Sequence, residues 1–413
     1  MRVLEIFKEL TTIPHCSGAT QALRDYIVAF AKKAGFAREV DAAGNILCYK
    51  TKRRICLQSH YDMVCVGQAP AIELRNDGEF LSARDSSLGA DNGIGVATML
   101  ALMEEGIEGE YLFTNDEEIG LVGAKNLQLQ LHAKAMLNLD SEEFGAIYVG
   151  CAGGVDMHAE RTVRFIEPEA SRFYRVTARH FPGGHSGVDI HKKIPSAIKE
   201  FAYFAKGAKV AALEAGERHN SIPVHLSAIV ATDQELGSNE YFIVEKAEPH
   251  PVIDYDILST LCAFSQGVRG WDEEFGIPER SANLAKVRLE GDTLHIDVSL
   301  RANSDEALER LKEDNSCFWQ RDFILHYSGE YPAWKPHISD LARNVAKLYE
   351  MYVPNPSFKA IHAGFECAIF AHAIPQIASI GPDIITPHSV HERVRIATIE
   401  PVYAIVKALL CEA

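Results

Sequence analysis

Four things are missing from this chain of 413 residues: a Cys-x-x-Cys pair, an apolar stretch of membrane-spanning length, a low-complexity segment and a block of like charge. Each absence excludes something. Its nine cysteines, odd in number and without close pairs, read as reduced, mostly buried thiols of a cytoplasmic protein rather than a disulfide framework. No apolar run is long enough to span a bilayer, so a membrane partner is not expected. The amino terminus lacks the basic segment and apolar core of a signal peptide. Its Val3, Ile6, Phe7 and Leu10 recur instead at helical spacing. Positive charge is also scarce: 41 Lys and Arg stand against 57 Asp and Glu, a net −16. A chain this acidic lacks the cations that release counterions from a phosphate backbone, so nucleic acid is excluded as a partner. The charge suits plain solubility or a site that collects cations. Gly-rich stretches at 150–154 and 183–187 are not followed by Lys-Ser/Thr at P-loop spacing, which argues against a nucleotide site.

What is present is an ordinary globular balance, 47% hydrophobic and 24% charged, in a length that suits one large domain or two. Helical spacing over the first residues and again after Ser17-Gly18 (Leu23, Tyr26, Ile27, Phe30) predicts two helices. Short apolar runs at 46–49, 55–59, 110–114 and 135–139 read as strands. Helices are expected at 91–105 and 120–127. Strands alternating with helices predict a mostly parallel sheet covered on both faces. From about Ser171 the rhythm changes to period-2 alternation, a long helix from Pro195 to about Ala215, and a half-buried strand at 294–300. After Tyr331-Pro332-Ala333-Trp334 the α/β rhythm returns, with helices at 339–351, near 364–373 and from 398, and a strand at 376–380. The reading is one split α/β domain, 1–168 and 332–413, with an α+β domain inserted at 169–331. No internal repeat is visible.

The chemistry lies at the carboxyl ends of the predicted strands, where open parallel sheets form their ligand crevice. Strand 55–59 runs into His60-Tyr61-Asp62, strand 111–114 into Asn115-Asp116-Glu117-Glu118, and strand 136–139 into Asp140. A tight loop, Leu88-Gly89-Ala90-Asp91-Asn92-Gly93, opens a helix, and Pro387-His388-Ser389 follows near the end. Five metal-type ligands, His60, Asp91, Glu118, Asp140 and His388, therefore fall on one edge. Two imidazoles and three carboxylates suit zinc, or manganese or cobalt. Five ligands exceed the need of one catalytic ion, and a carboxylate bridging two ions resolves the count. Asp91, on its Gly-flanked loop, is the natural bridge. Glu117 then faces the shared water as general base. Asp62, two residues after His60, can orient that imidazole from its other nitrogen. Asp116-Glu117-Glu118 alone would be a solvated acidic turn; its place after a buried strand argues otherwise. His362 and Glu366 stand between pocket lining and packing, and enter as substrate-binding candidates.

The stretches LQSHYDMV (57–64), SLGADNGIGVA (87–97), TNDEEIGLVGA (114–124), NLDSEE (138–143), GCAGGVD (150–156), GGHSGVDIH (183–191), NSIP (220–223), YPAW (331–334), IHAGFECAIF (361–370) and IGPDIITPHSVHE (380–392) together resemble the dinuclear zinc aminopeptidases and dipeptidases, in particular the aminoacyl-histidine dipeptidase (Xaa-His dipeptidase) group. The resemblance spans nearly the whole chain. It implies a three-layer α/β/α catalytic domain of zinc-exopeptidase type with an inserted lid and dimerisation domain. It also implies a homodimer, two divalent ions (most simply Zn²⁺) and a small peptide substrate. His185 is similar to a histidine that reaches across the dimer to polarise the substrate carbonyl. Asn220 and Arg301 match positions that hold the substrate backbone and carboxylate, and Asp91–Asn92 matches a non-proline cis peptide. Ser59 stands where the group often has Gly. Val390-His391 replaces the more usual Pro-Asp, so His391 competes with His388; the Pro-His-Ser setting favours His388. The expected reaction is hydrolysis of dipeptides, Xaa-His above all, by a metal-bridged water with Glu117 as base. The alternatives are a tripeptidase, a carboxypeptidase or an N-acyl amino acid deacylase on the same scaffold. An inactive interaction protein would show eroded ligands, and none of the five positions is eroded.

Overall fold

The computed structural model describes residues 1–412 and divides into two compact units. The first comprises Met1–Gly150, Pro336–Ala360 and Phe365–Ala413; the second comprises Cys151–Lys335 and Ile361–Gly364.

An eight-stranded sheet organises the first unit. Its order is Ala37–Val40, Ile46–Tyr49, Glu110–Thr114, Ile55–His60, Ala135–Asn138, Gln376–Ser379, Ala146–Cys151 and Ser357–Ile361. Ile55–His60 runs parallel to both neighbours, and Gln376–Ser379 runs parallel to Ala135–Asn138. Every residue of Ile55–His60 and of Glu110–Thr114 is buried. A strand buried at both parities must be covered on both faces, which is why these runs are apolar rather than alternating. The first helix, Arg2–Leu10, buries Val3, Ile6, Phe7 and Leu10 as the spacing predicts. In the second, Gln21–Lys33, the inward row is Leu23, Ile27 and Ala31. The helix Ala90–Glu104 is apolar all round and buried along its length, so it lies inside the unit. Gly95 lets it approach the strand ends. A Cβ there would come within 2.4 Å of Ser59 Oγ and 2.9 Å of the Leu139 carbonyl.

The second unit is built on a nine-stranded antiparallel sheet. Within it, Arg172–Ala178, Lys209–Ala215, Leu226–Thr232 and Phe242–Lys246, numbered 1 to 4, lie side by side as 4-1-3-2. Gly153–Thr162, Ile277–Glu290, Thr293–Ala302 and Ile324–Tyr331, numbered likewise, lie as 2-3-1-4, the same order reversed. The halves join through their second strands, with Glu214 opposite Arg288 and Ala215 opposite Val287. The unit therefore contains a structural repeat that leaves no trace in the sequence.

Three expectations need correction. The helix read over 195–215 is two elements, a helix Ala197–Phe204 and a strand Lys209–Ala215. Gly207, at φ 87°, ends the helix, and pairing with Leu226–Thr232 overrides the helical preference of Ala211, Ala212 and Leu213. The second unit begins at Cys151 rather than 169, because Gly153–Thr162 lies between Thr293–Ala302 and Ile324–Tyr331 in its sheet. Finally, the cysteines are not all thiols. Cys16 and Cys65 form a disulfide with Cα atoms 5.5 Å apart, where a parallel bridge between Cys16 and Met63 brings the two segments together. Cys48, Cys56, Cys151 and Cys367 are buried thiols. Among the described residues no helix is long and apolar enough to cross a membrane.

Because Gly95 sits where strand ends and helix nearly touch, Gly95→Ala is expected to destabilise the protein by about 1–3 kcal/mol, the usual cost of overpacking. Urea unfolding of the metal-free protein checks this; an unchanged midpoint would mean that the close approach is not needed.

Candidate active site

Parallel pairing brings the ends of Ile55–His60, Glu110–Thr114 and Ala135–Asn138 to one edge of the first unit's sheet, and the residues just beyond them converge there. His60 Nε2 lies 3.1 Å from Asp91 Oδ1 and 3.1 Å from Asp140 Oδ1. His388 Nε2 lies 3.0 Å from Asp91 Oδ2 and 2.7 Å from Glu118 Oε1. Asp91 thus offers one carboxylate oxygen to each imidazole. Its backbone leaves helical geometry at φ −84° and ψ 109°, and the Asp91–Asn92 peptide is cis. Two sets share Asp91, His60 with Asp91 and Asp140 and His388 with Asp91 and Glu118, and a third joins His60 to Glu117 and Glu118. Within each set the candidate ligand atoms lie within 4.8 Å of one another. Glu118 Oε1 and Asp140 Oδ1 are buried without a hydrogen-bond partner among the described residues, although each faces an imidazole nitrogen. Imidazole nitrogens and carboxylate oxygens that converge from several segments, some of them buried without a partner, are the donors a divalent cation takes, so this donor set fits metal binding. His391 is exposed and belongs to neither set.

The electrostatics follow from this crowding. Burial pushes Asp91 up, but its hydrogen bonds with His388 and His60 outweigh that and hold the carboxyl well below the usual range. Burial disfavours a charged His388, yet Asp91 and Glu118 raise it to about 11. His60 is raised in the same way, against its burial, by Asp140, Asp62 and Asp91. Burial pushes Asp140 up to about 7, helped by the charges of Asp91 and Glu118. Glu117 is driven well above the carboxylate range by burial and by the charges of Glu118, Asp140 and Glu366. These shifts mark a site with too many negative charges for its supply of protons.

Asp62 touches more than His60. The His60 Nδ1 lies 3.1 Å from the Asp62 main-chain carbonyl and 3.4 Å from its carboxylate. That carboxylate accepts from Glu117 N–H (2.9 Å), Glu118 N–H (3.3 Å) and the Ser17 hydroxyl (2.7 Å). It therefore ties three segments together, and Ser17 belongs to the loop held by the Cys16–Cys65 disulfide. Glu366, expected on the substrate side, is fully buried instead. It accepts from Thr114 Oγ1 (2.7 Å) and Gln58 Nε2 (2.5 Å), while Gln58 in turn accepts from Asn138 Nδ2 (2.5 Å). Burial pushes Glu366 up to about 8.

In the second unit, the expected catalytic His185 and two of the expected substrate residues, Arg301 and His362, gather around Gly187. A Cβ there would meet the His362 carbonyl at 2.2 Å, His185 Cε1 at 3.2 Å and Arg301 Nε at 3.3 Å. Arg301 is 9% exposed and donates to Tyr331 Oη at 2.6 Å, while its Nε has no partner among the described residues. His185 Nδ1 accepts from the Gly187 and Val188 N–H groups, both at 3.1 Å, which puts the proton of the neutral ring on Nε2. His362 pairs with Ser281 at 2.7 Å. Burial, with the charges of Arg301, His191 and His185, lowers it to about 3. The Asn220 side chain is exposed, and its main-chain carbonyl receives Ser186 N–H at 2.8 Å. Sequence reasoning passed over Ser17, Tyr331 and Ser281, because an isolated hydroxyl carries no pattern.

Fold and site together define a metal-dependent exopeptidase scaffold. The sequence pattern described as "Peptidase family M20/M25/M40" matches residues 56–412, and the chain belongs to that family, making it a peptide-bond hydrolase. Among its relatives is the cytosol non-specific dipeptidase of Escherichia coli (strain K12), 31% identical across 99% of this chain and 96% of the relative. The solved aminoacylhistidine dipeptidase of Vibrio alginolyticus is 29% identical, with a TM-score of 0.84 over 100% of this chain and 96% of that one. A tripeptidase from Staphylococcus aureus shares the fold at 16% identity and a TM-score of 0.60, over 99% and 97%.

Asp62 offers a test of the scaffold without substrate. Against the effect of burial, its pairing with His60, and then hydrogen bonds from Ser17 and the Glu117 N–H, lower its carboxyl. A depressed carboxyl contributes stability above its ordinary value, near 4, that is lost as pH falls through the folded value. Asp62→Asn is expected to cost about 1–3 kcal/mol at pH 7, as loss of charge-assisted hydrogen bonds does. It should also flatten the acid limb of the stability curve; urea midpoints from pH 3 to 7 in both proteins provide the check.

Proposed function

We propose that this chain hydrolyses dipeptides carrying a free amino terminus, with C-terminal histidine as the favoured case, at a centre of two divalent ions. The observation that carries the reading is Asp91 shared between two imidazole–carboxylate sets, with one oxygen toward each. The names of the Escherichia coli and Vibrio relatives support the substrate class. In this reading His60, Asp140 and Asp91 hold one ion, and His388, Glu118 and Asp91 hold the other. Bound there, Zn²⁺, or Mn²⁺ or Co²⁺, supplies Lewis-acid polarisation of a water and of the scissile carbonyl.

The remaining work falls to side chains. Glu117 takes a proton from the attacking water and returns it to the leaving nitrogen. Asp62 keeps Glu117 and Glu118 in place through their N–H groups. His185, reaching across the dimer as the resemblance implies, offers an Nε2–H to the developing oxyanion, and Arg301, steadied by Tyr331, receives the peptide carboxylate. Asn220 contacts the substrate backbone. A cytoplasmic homodimer completes the reading, and the molar mass in solution checks the dimer.

Two measurements test this proposal. Chelator-stripped protein titrated with Zn²⁺ is expected to bind two ions and remain folded throughout, since the sheet core stands without metal. Glu117→Ala should keep both ions yet lower kcat by about 10²–10⁴-fold, the usual contribution of a general base. A panel of Xaa-His dipeptides, other dipeptides, tripeptides and N-acyl amino acids fixes the substrate. No turnover of free-amine dipeptides, with turnover of another class, would replace this reading with the corresponding amide hydrolase.

A further inference from the structure

Four residues past His388, Glu392 is buried to 2% exposure. Its carboxylate accepts four consecutive main-chain N–H groups. Oε2 receives those of Leu88 (2.8 Å) and Gly89 (3.1 Å), and Oε1 those of Ala90 (2.8 Å) and Asp91 (3.3 Å). Three of them, those of Gly89, Ala90 and Asp91, belong to the N-cap and first turn of Ala90–Glu104, whose N–H groups lack intrahelical acceptors, and Leu88 extends the row by one residue. Gly89, at φ 72°, turns the loop so that all four point one way.

A carboxylate is an odd choice for this spot. The neighbourhood already holds Asp91, Glu118 and Asp140, and another buried anion adds repulsion. Simple capping is commonly served by neutral Ser, Thr or Asn. What the carboxylate adds is a connection. The loop it grips carries Asp91, and the turn it belongs to carries His388. That turn is itself closed. Ser389 Oγ donates to the Thr386 carbonyl (2.7 Å) and receives His391 N–H (3.1 Å), and Thr386 Oγ1 donates to the His391 carbonyl (2.8 Å). Glu392 N–H closes back on the Ser389 carbonyl (3.2 Å). A rigid turn and a gripped loop leave little freedom in the 3.0 Å approach of His388 Nε2 to Asp91 Oδ2.

We propose that Glu392 is a positioning residue that staples the Asp91 loop to the His388 turn, and so sets the affinity of the ion site formed by Asp91, Glu118 and His388 over that of its neighbour. The inference rests on the two-ion reading above. Glu392 holds protein backbone only. Gln would match its shape but turn an NH₂ toward two N–H donors, and Asp would keep the charge but fall one methylene short.

The test titrates chelator-stripped wild type, Glu392→Gln and Glu392→Asp with Zn²⁺ by calorimetry and with Co²⁺ by visible absorption. Urea unfolding of each metal-free protein runs alongside. In Glu392→Gln one ion is expected to bind as in wild type and the other about 10–100-fold more weakly, the range for lost groups behind a metal ligand. Glu392→Asp should recover part of that loss, and KM should move less than kcat. Ser389→Ala, which loosens the same turn without touching the carboxylate, should weaken the same ion and serves if Glu392→Gln does not fold. Two ions bound by the variants with wild-type affinity would overturn the staple and leave the two-ion reading intact. Equal weakening of both ions, tracking a loss of metal-free stability, would also overturn it. Fewer than two ions in wild type would bring down both.

Discussion

The constraint on which this molecule turns is the crowding of carboxylates at one sheet edge. Asp91, Glu117, Glu118 and Asp140 converge around His60 and His388, the imidazoles that pair with them among the described residues. Carboxylates this close cannot all ionise in a poorly solvated site unless cations or donors offset them. The surroundings read as answers to that problem. Asp62 is surrounded by N–H and O–H donors, Glu392 by four N–H groups, and Glu366 by Thr114 and Gln58 with a raised proton affinity. What they leave unanswered, the facing oxygens of Asp140 and Glu118, is where divalent cations fit.

That arrangement depends on strand direction. Parallel pairing of Ile55–His60 with both neighbours puts three strand ends on one side, so loops distant in sequence deliver ligands to one place. The buried polar set Gln58, Thr114 and Asn138 then ties those ends together across the sheet just below the ligands. Glu366 joins it from the far end of the chain. Such a network is stable only when its members find partners, which fixes the strand ends more firmly than apolar packing alone would.

The parts legible in the sequence were those with a period or a position. Apolar runs marked the buried strands, and acidic or imidazole residues directly after them marked the site. The parts that stayed hidden have no local signature. Cys16 and Cys65 are separated by 49 residues and meet only because His15 and Met63 run side by side. Lys209–Ala215 carries helix-forming residues, and only its sheet partner makes it a strand. The repeat in the second unit is a repeat of strand order, which side chains need not share. Glu392 looks like any exposed acid until the four N–H groups it accepts are known, and Glu366 looks like a pocket residue until Gln58 and Thr114 are placed against it.

The second unit poses the converse electrostatic case. Around Gly187, His185 has its Nδ1 lone pair committed to two N–H groups, and His362 is held neutral by burial and by the nearby Arg301 charge. The Arg301 guanidinium is the permanent charge of the cluster, pinned by Tyr331 with Nε still open. A guanidinium with a donor still open favours a group with negative charge and several acceptor oxygens, which a carboxylate is. Gly187 matters because any side chain there would overlap the His362 carbonyl and crowd Arg301 Nε. The glycine is therefore a condition of the packing here, since a side chain would displace the His362 backbone and press on the imidazole and the guanidinium.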